Sequence, residues 1–369
     1  MAVLAGHNAH YSIRKAARLI GGGALRVERV PIDERFRVDA RALASRLESL
    51  ARERVEVLAV VTTAGTTATG SVDPMAEVAA LQRERGFWWH VDAAYGGHFC
   101  ASLFRADTSS PDERDLLGFP RARPSRDPAP DSSLPAHSLR ALRAARHATS
   151  ISIDPHKLGF VAKGCGALLL ADPAWMSLLG EEAGYFRDEV PGVLPLGRQH
   201  SVASGLEGSR SGRAPISCYV THRALPLHQG GLGALLERGV ELAQRACRAM
   251  QALTVNGWRV RPLHEPDTNI VCAVVTRDGQ RVEDCSRCAA AFVDALRAVG
   301  APMCSLTVFR REEAPPLFDA LLPALGVRVS SSSREVAALR FVFANPELSD
   351  AWPRDFTRVA AGALEEMTP

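Results

Sequence analysis

Lys157 is the residue of this chain that most clearly asks for chemistry. It sits in SISIDPHKLGF (residues 150–160), where a β-branched, strand-like run stops at Asp154-Pro155-His156-Lys157. Proline has no N–H for a strand ladder and cannot continue an interior strand. The His and Lys therefore fall where a parallel strand would meet a ligand at the edge of its sheet. The residue type is itself informative: of 44 basic residues only three are lysines (Lys15, Lys157 and Lys163), leaving 41 arginines. A lysine kept in this context suits amine chemistry that a guanidinium cannot perform. A snorkelling or phosphate-contacting lysine is the alternative, and this stretch alone does not separate the two.

Three other stretches end apolar runs with polar groups. GTTATGSVDP (65–74) puts Thr66, Thr67 and Thr69 on a glycine-flanked loop, where hydroxyls can donate to a ligand or satisfy the turn backbone. HVDAAYGG (90–97) puts Asp92 at a strand end, followed by small residues that let a flat ligand approach. A carboxylate there is costly unless a cation pairs with it. His10 stands just before a helical pattern, as a cap, a packed ring or a ring-stacker. A Lys and an Asp at neighbouring strand ends with an imidazole nearby match the needs of pyridoxal 5′-phosphate (PLP). The amine forms a Schiff base, and the carboxylate keeps the pyridine nitrogen protonated so that the ring can accept electrons.

Those strand ends require a scaffold. Apolar strands at 55–65, 87–94, 148–154 and 165–172 alternate with helical patterns, including 73–86 with Asp73 as N-cap, Pro74 at the first helical position and Gly86 as terminator. This alternation predicts a mainly parallel sheet covered on both faces, an α/β large domain. The Pro-, Ser- and Arg-rich segment 105–135 reads as a surface insertion, with a helix after it, so that the whole insertion spans 105–147. A long helical pattern from Pro215 to about Thr254, broken near Gly230-Gly231, leads to strands at 268–276 and 338–344 and helices at 284–299 and 350–366. The predicted division is 1–230 for the large domain and 231–369 for the connecting helix and a small α+β domain.

Composition excludes several classes. The chain has 369 residues, 46% hydrophobic, with a net charge of only +3. No basic run is interleaved with aromatics, so nucleic acid is not indicated, and no apolar run reaches the ~18 residues of a membrane span. Eight scattered cysteines, several in apolar runs, suit reduced thiols in a cytoplasmic protein. Cys285-Ser-Arg-Cys288 lacks a second pair, so no metal site is expected.

HYSIRKAA, VPIDERFRVD, GTTATGSVDP, HVDAAYGG, SISIDPHKLGF, LEGSRSG and THRALPLHQGG occur in this order along the chain. In these motifs it resembles the group II PLP-dependent amino-acid decarboxylases of fold type I (the aspartate-aminotransferase-like fold), in particular the bacterial tyrosine decarboxylase branch. The resemblance implies Lys157 as the Schiff-base lysine, Asp92 on the pyridine nitrogen, His10 stacked on one ring face and Ala94 packed on the other. It implies Thr67 near the phenolic oxygen and the substrate carboxylate, and His156 near the phosphate. Tyr185, in GYFRDEVPG, falls where the family carries a mobile loop with a tyrosine, and it (or His156) becomes the candidate proton donor to Cα. The implied activity is decarboxylation of an L-amino acid, aromatic favoured, by a cytoplasmic homodimer. An aminotransferase, a desulfurase or a non-catalytic remnant are the alternatives. Family members carry roughly a hundred or more residues before the stacking His, including a phosphate-gripping loop. A start upstream of Met1 is therefore expected.

Overall fold

The computed structural model describes residues 1–106, 122–124, 132–178, 211–298 and 304–366. The first sheet is built from β1 (Ala2–Gly6), β2 (Arg26–Val30), β3 (Val57–Thr63), β4 (Trp88–Asp92), β7 (Ser150–Ile153) and β8 (Ala167–Leu170), in the order β2-β1-β3-β4-β7-β8. All neighbours are parallel except β7 and β8, so the sheet is mainly parallel, as expected. Helices α1 (Tyr11–Gly21), α2 (Ala40–Arg52), α3 (Met75–Arg85) and α4 (Ala136–Ala144) fall between successive parallel strands. Between β4 and α4, short strands β5 (Phe104–Ala106) and β6 (Ala122–Pro124) pair antiparallel within the anticipated insertion. The core under this sheet joins Leu4, Val60, Trp89 and Val91 to Leu43, Leu47 and Leu50 of α2 and to Met75 and Val78 of α3.

The second sheet is antiparallel. Its order is β12 (Ser305–Arg310), β13 (Glu335–Val342), β11 (Ile270–Thr276), β10 (Trp258–Pro262), β9 (Thr254–Val255). α5 (Arg213–Ala224) and α6 (Ala234–Ala252) lead into it, separated by a kink where Gly231 leaves helical geometry; α7 (Val282–Ala298), the short α8 (Leu322–Ala324) and α9 (Trp352–Glu365) complete the fold. Every residue of β11 is buried, because α6 and α7 contact it and β10 and β13 flank it. Phe341 of β13 meets Trp352 and Phe356 of α9 edge-on, and those two rings stack at 5.0 Å.

One buried ion pair ties residues before α2 to the connection between β10 and β11. Arg37 donates through Nε (2.7 Å) and Nη2 to the two oxygens of Asp267, whose side chain is 1% exposed. Asp267 Oδ2 also accepts from the backbone N–H of Val72 (2.9 Å), and its carbonyl accepts from Ser138 Oγ (2.9 Å).

Asp73 differs from the expected N-cap. Pro74 occupies the cap position of α3, and the Asp73 carboxylate turns inward to accept from the N–H groups of Val38 (2.8 Å) and Thr63 (2.7 Å). Burial, partly offset by these two bonds, raises its pKa to about 7. Gly86 ends α3 in the left-handed region at φ 75°, as a C-terminal glycine should. Strands β2, β10 and β12 go beyond the sequence expectation.

Candidate active site

β4 and β7 lie side by side and parallel, with His90 opposite Ser150 and Asp92 opposite Ser152. Alternate residues of a strand share a face. His90 and Asp92 thus face the same way as Ser150 and Ser152, and Asp154 follows where β7 ends. Pro155 ends the strand, and Lys157 follows in the turn, its N–H bonded to Asp154 O (2.9 Å). A cavity of about 320 Å³ opens here, lined among others by His10, Thr67, Asp92, Ala94, Asp154 and Lys157. Five residues singled out from sequence therefore meet in one place: Lys157, Asp92, His10, Ala94 and Thr67.

Each arrives by a local cause. His10 caps α1, its Nδ1 2.8 Å from Ser12 Oγ and accepting from Ser12 N–H at 3.4 Å. The loop after β3 sorts its threonines. Thr66 and Thr69 are buried and bond each other and Ser71 (2.8 and 2.7 Å), which satisfies the turn, while Thr67 is left exposed in the cavity. Gly65 (φ 84°) turns that loop in the left-handed region that favours glycine, and close enough to Tyr95 and Gly96 that a Cβ would crowd them at 3.0 and 3.3 Å. Among the described residues, the Asp92 side chain accepts only from the N–H of Ala94 (3.2 Å). A carboxylate this lightly engaged, facing a cavity, fits a cationic ring nitrogen, and Ala94 leaves room beside it. Lys157 Nζ is 3.0 Å from Asp154 Oδ2 and half-exposed.

His156 is oriented elsewhere. Its Nδ1 contacts the Cys165 carbonyl and its Nε2 lies 3.8 Å from Asp154 Oδ2; it is not among the residues lining the cavity. Tyr185 lies outside the described residues. Residues not foreseen from sequence also face the cavity: His90, Ser152, Asp154 and Tyr95. Burial lowers the His90 pKa, with Asp92 acting the other way. Burial raises the Tyr95 phenol, whose hydroxyl donates to Asn269 Oδ1 (2.7 Å). Behind the Thr67 loop, Arg340 Nε donates to the Ala68 carbonyl (3.1 Å). An arginine inside the apolar run AALRFVF was the available signal for it.

A second cavity of about 440 Å³ shares His10 and Thr67 with the first and is walled by Tyr11, Val308, Phe309 and Arg310. Arg14 and Glu313 close it with an ion pair at 3.2 Å.

The family described as pyridoxal-dependent decarboxylase conserved domain matches residues 1–113. Among characterised relatives, the chain is 33% identical over 282 residues to an L-tyrosine decarboxylase of Levilactobacillus brevis, covering 73% of this chain and 44% of that protein. It is 31% identical over 289 residues to an L-tyrosine decarboxylase of Enterococcus faecium, covering 75% and 45%. The chain thus spans somewhat under half the length of these relatives. Among solved structures, Oryza sativa TDC with PLP and tryptamine superposes with a TM-score of 0.69 at 19% identity, covering 100% of this chain and 63% of that one. Mouse CSAD gives 0.67 at 20% identity, covering 98% and 63%. These structural likenesses establish the fold, and with the sequence matches they lead to one assignment: residues 1–113 belong to the pyridoxal-dependent decarboxylase family.

Proposed function

We propose that the chain binds PLP at Lys157 and serves the decarboxylation of an L-amino acid to the amine and CO₂, with an aromatic substrate such as tyrosine favoured. The observation that carries this reading is the convergence of Lys157 and a lightly engaged Asp92 on one cavity. When bound, PLP supplies an electron sink for the pair released from the Cα–carboxylate bond. The protein's part is positional. Lys157 contributes the amine that attaches the cofactor. Asp92 holds the proton on the ring nitrogen, and His10 and Ala94 flank the ring. Thr67 offers a hydroxyl to the substrate carboxylate, and Arg340 stiffens the loop that carries it. Tyr185 is the proposed proton donor to Cα, with His156 as its alternate. The larger cavity adjoining His10 offers Tyr11, Val308 and Phe309 to an aromatic substrate side chain.

The proposal extends to organisation. The division at 230/231 follows the break before α6. A second copy is the proposed partner, supported by exposed Leu19 and Ile20 on α1 and Ile216 and Val220 on α5. All eight cysteines are free thiols, which supports a reducing, cytoplasmic setting.

The test supplies PLP and carboxyl-labelled L-tyrosine, L-aspartate or L-2,4-diaminobutyrate and measures labelled CO₂ together with the amine. Release of both, greatest with tyrosine, is expected. A keto acid without CO₂ would replace decarboxylation with transamination.

A further inference from the structure

The 440 Å³ cavity beside His10 has an aromatic wall and a charged one. Phe36 and Phe309 form the first, both buried, with ring centroids 5.5 Å apart. Arg14, Arg310 and Glu313 are the charged lining residues. Arg14 Nη2 donates to Glu313 Oε1 at 3.2 Å, the two side chains being 34% and 28% exposed. Among the described residues neither side chain makes another hydrogen bond, so guanidinium N–H groups and the second carboxylate oxygen stay available. Arg310 is exposed, and its carbonyl accepts from the N–H groups of Glu313 and Ala314 (2.9 Å each), which fixes the turn that presents Glu313. Arg14 follows His10, the cap of α1, by four residues, about 6 Å along the helix axis. The side chain of tyrosine spans a similar distance from its α-carbon to its hydroxyl.

We propose that Arg14 and Glu313 determine substrate specificity by recognising a phenol hydroxyl, which donates to Glu313 and accepts from Arg14 while its ring lies against Phe36 and Phe309. The proposal rests on the reading that an amino-acid side chain enters this cavity from the wall it shares with the cofactor site, His10 and Thr67. It narrows the substrate class to 4-hydroxyphenyl. A hydroxyl suits the pair because it both donates and accepts. A side-chain carboxylate would meet Glu313 with like charge, and an ammonium would meet Arg14 with like charge. A bare phenyl ring would cover the pair and offer it no bond, which a site built for a hydroxyl rejects.

The test measures equilibrium binding of 3-(4-hydroxyphenyl)propionate and 3-phenylpropionate by calorimetry, in the presence of PLP, to the wild type, to Glu313→Gln and to the double variant Arg14→Met with Glu313→Leu. The two ligands differ only in the hydroxyl and have no amine to react. The wild type should bind the hydroxylated ligand about tenfold tighter. The double variant should bring the two within about twofold and keep its affinity for 3-phenylpropionate, since both charges leave together. Glu313→Gln, whose amide still accepts, should show an intermediate preference, which keeps the test decisive where the double variant does not fold. In the same proteins the tyrosine-to-phenylalanine ratio of kcat/KM for CO₂ release should fall in step. Equal binding of the two ligands by the wild type, a preference unchanged in both variants, or faster decarboxylation of L-aspartate than of L-tyrosine by the wild type overturns the proposal. Discrimination in binding without CO₂ from any amino acid would uphold the phenol site and overturn the decarboxylase reading.

Discussion

Lys157 Nζ and Asp154 Oδ2 stand 3.0 Å apart across a single turn, so the amine proposed to attach the cofactor is held by a carboxylate three residues before it. The lysine is 41% exposed and the aspartate 26%, so solvent screens the pair and its contribution to stability is under about 1 kcal/mol. Asp154→Asn should therefore melt within a degree or two of the wild type. Because Lys157 must leave this contact to reach a carbonyl, the same variant should incorporate PLP faster in stopped-flow absorbance. Slower incorporation would make Asp154 an aid to attachment instead of a holding contact.

Asp92→Asn is nearly isosteric and keeps the acceptor facing the Ala94 N–H. The fold and cofactor binding should survive, while decarboxylation falls by roughly 10³-fold or more, since a neutral amide cannot hold the ring nitrogen protonated. The comparison is turnover per bound cofactor. Near-normal turnover with bound PLP would take Asp92 out of the mechanism.

His98 should shape acid stability. It is buried in the short 3₁₀-helical segment Gly96–Leu103 after Asp92, its ring 5.5 Å from that of His222, and burial lowers its pKa to about 4. The unfolded chain, with His near 6.5, binds more protons between pH 4 and 6.5. Stability therefore rises with pH across that window and is complete above it, by on the order of 3 kcal/mol for this group. Asp73, raised to about 7, works in the opposite sense from 3.8 upward, so the informative quantity is the difference from His98→Phe. Denaturant titrations at pH 4.5, 5.5 and 7 should show the stability of the wild type relative to the variant rising with pH. Parallel profiles would mean that His98 keeps an ordinary pKa.

Asp267→Ala removes the partner of Arg37 and leaves a guanidinium only 11% exposed without its counter-charge. It also strips an acceptor from Val72 N–H. The expected loss is about 3 kcal/mol or more in chemical denaturation. A loss under 1 kcal/mol would mean that water reaches Arg37 freely.

The strand ends were legible in the sequence because each has a chemical stop. Pro155 halts β7, Gly65 turns the chain after β3, and Asp92 closes the apolar run of β4. Lys157 stood out by residue type in an arginine-dominated chain. What stayed hidden depends on contacts distant in sequence. DPMAE reads as a capped helix start, yet Asp73 turns to Val38, 35 residues earlier, because the Arg37 loop arrives there. The contact of His90 Nδ1 with Ser150 Oγ (2.8 Å) needs the register of β4 against β7, 60 residues apart, which no local pattern encodes. β12 exposes Leu306 and Val308 and carries charge at its end, so it lacks the apolar signature of a buried strand.

The central claim is that one amine holds the cofactor. Borohydride reduction of the PLP-loaded protein, followed by proteolysis and mass spectrometry, reads it directly. The account predicts a pyridoxyl group on Lys157 alone, and none in Lys157→Arg. Stoichiometric label on Lys15 or Lys163, with Lys157 unmodified, would contradict it.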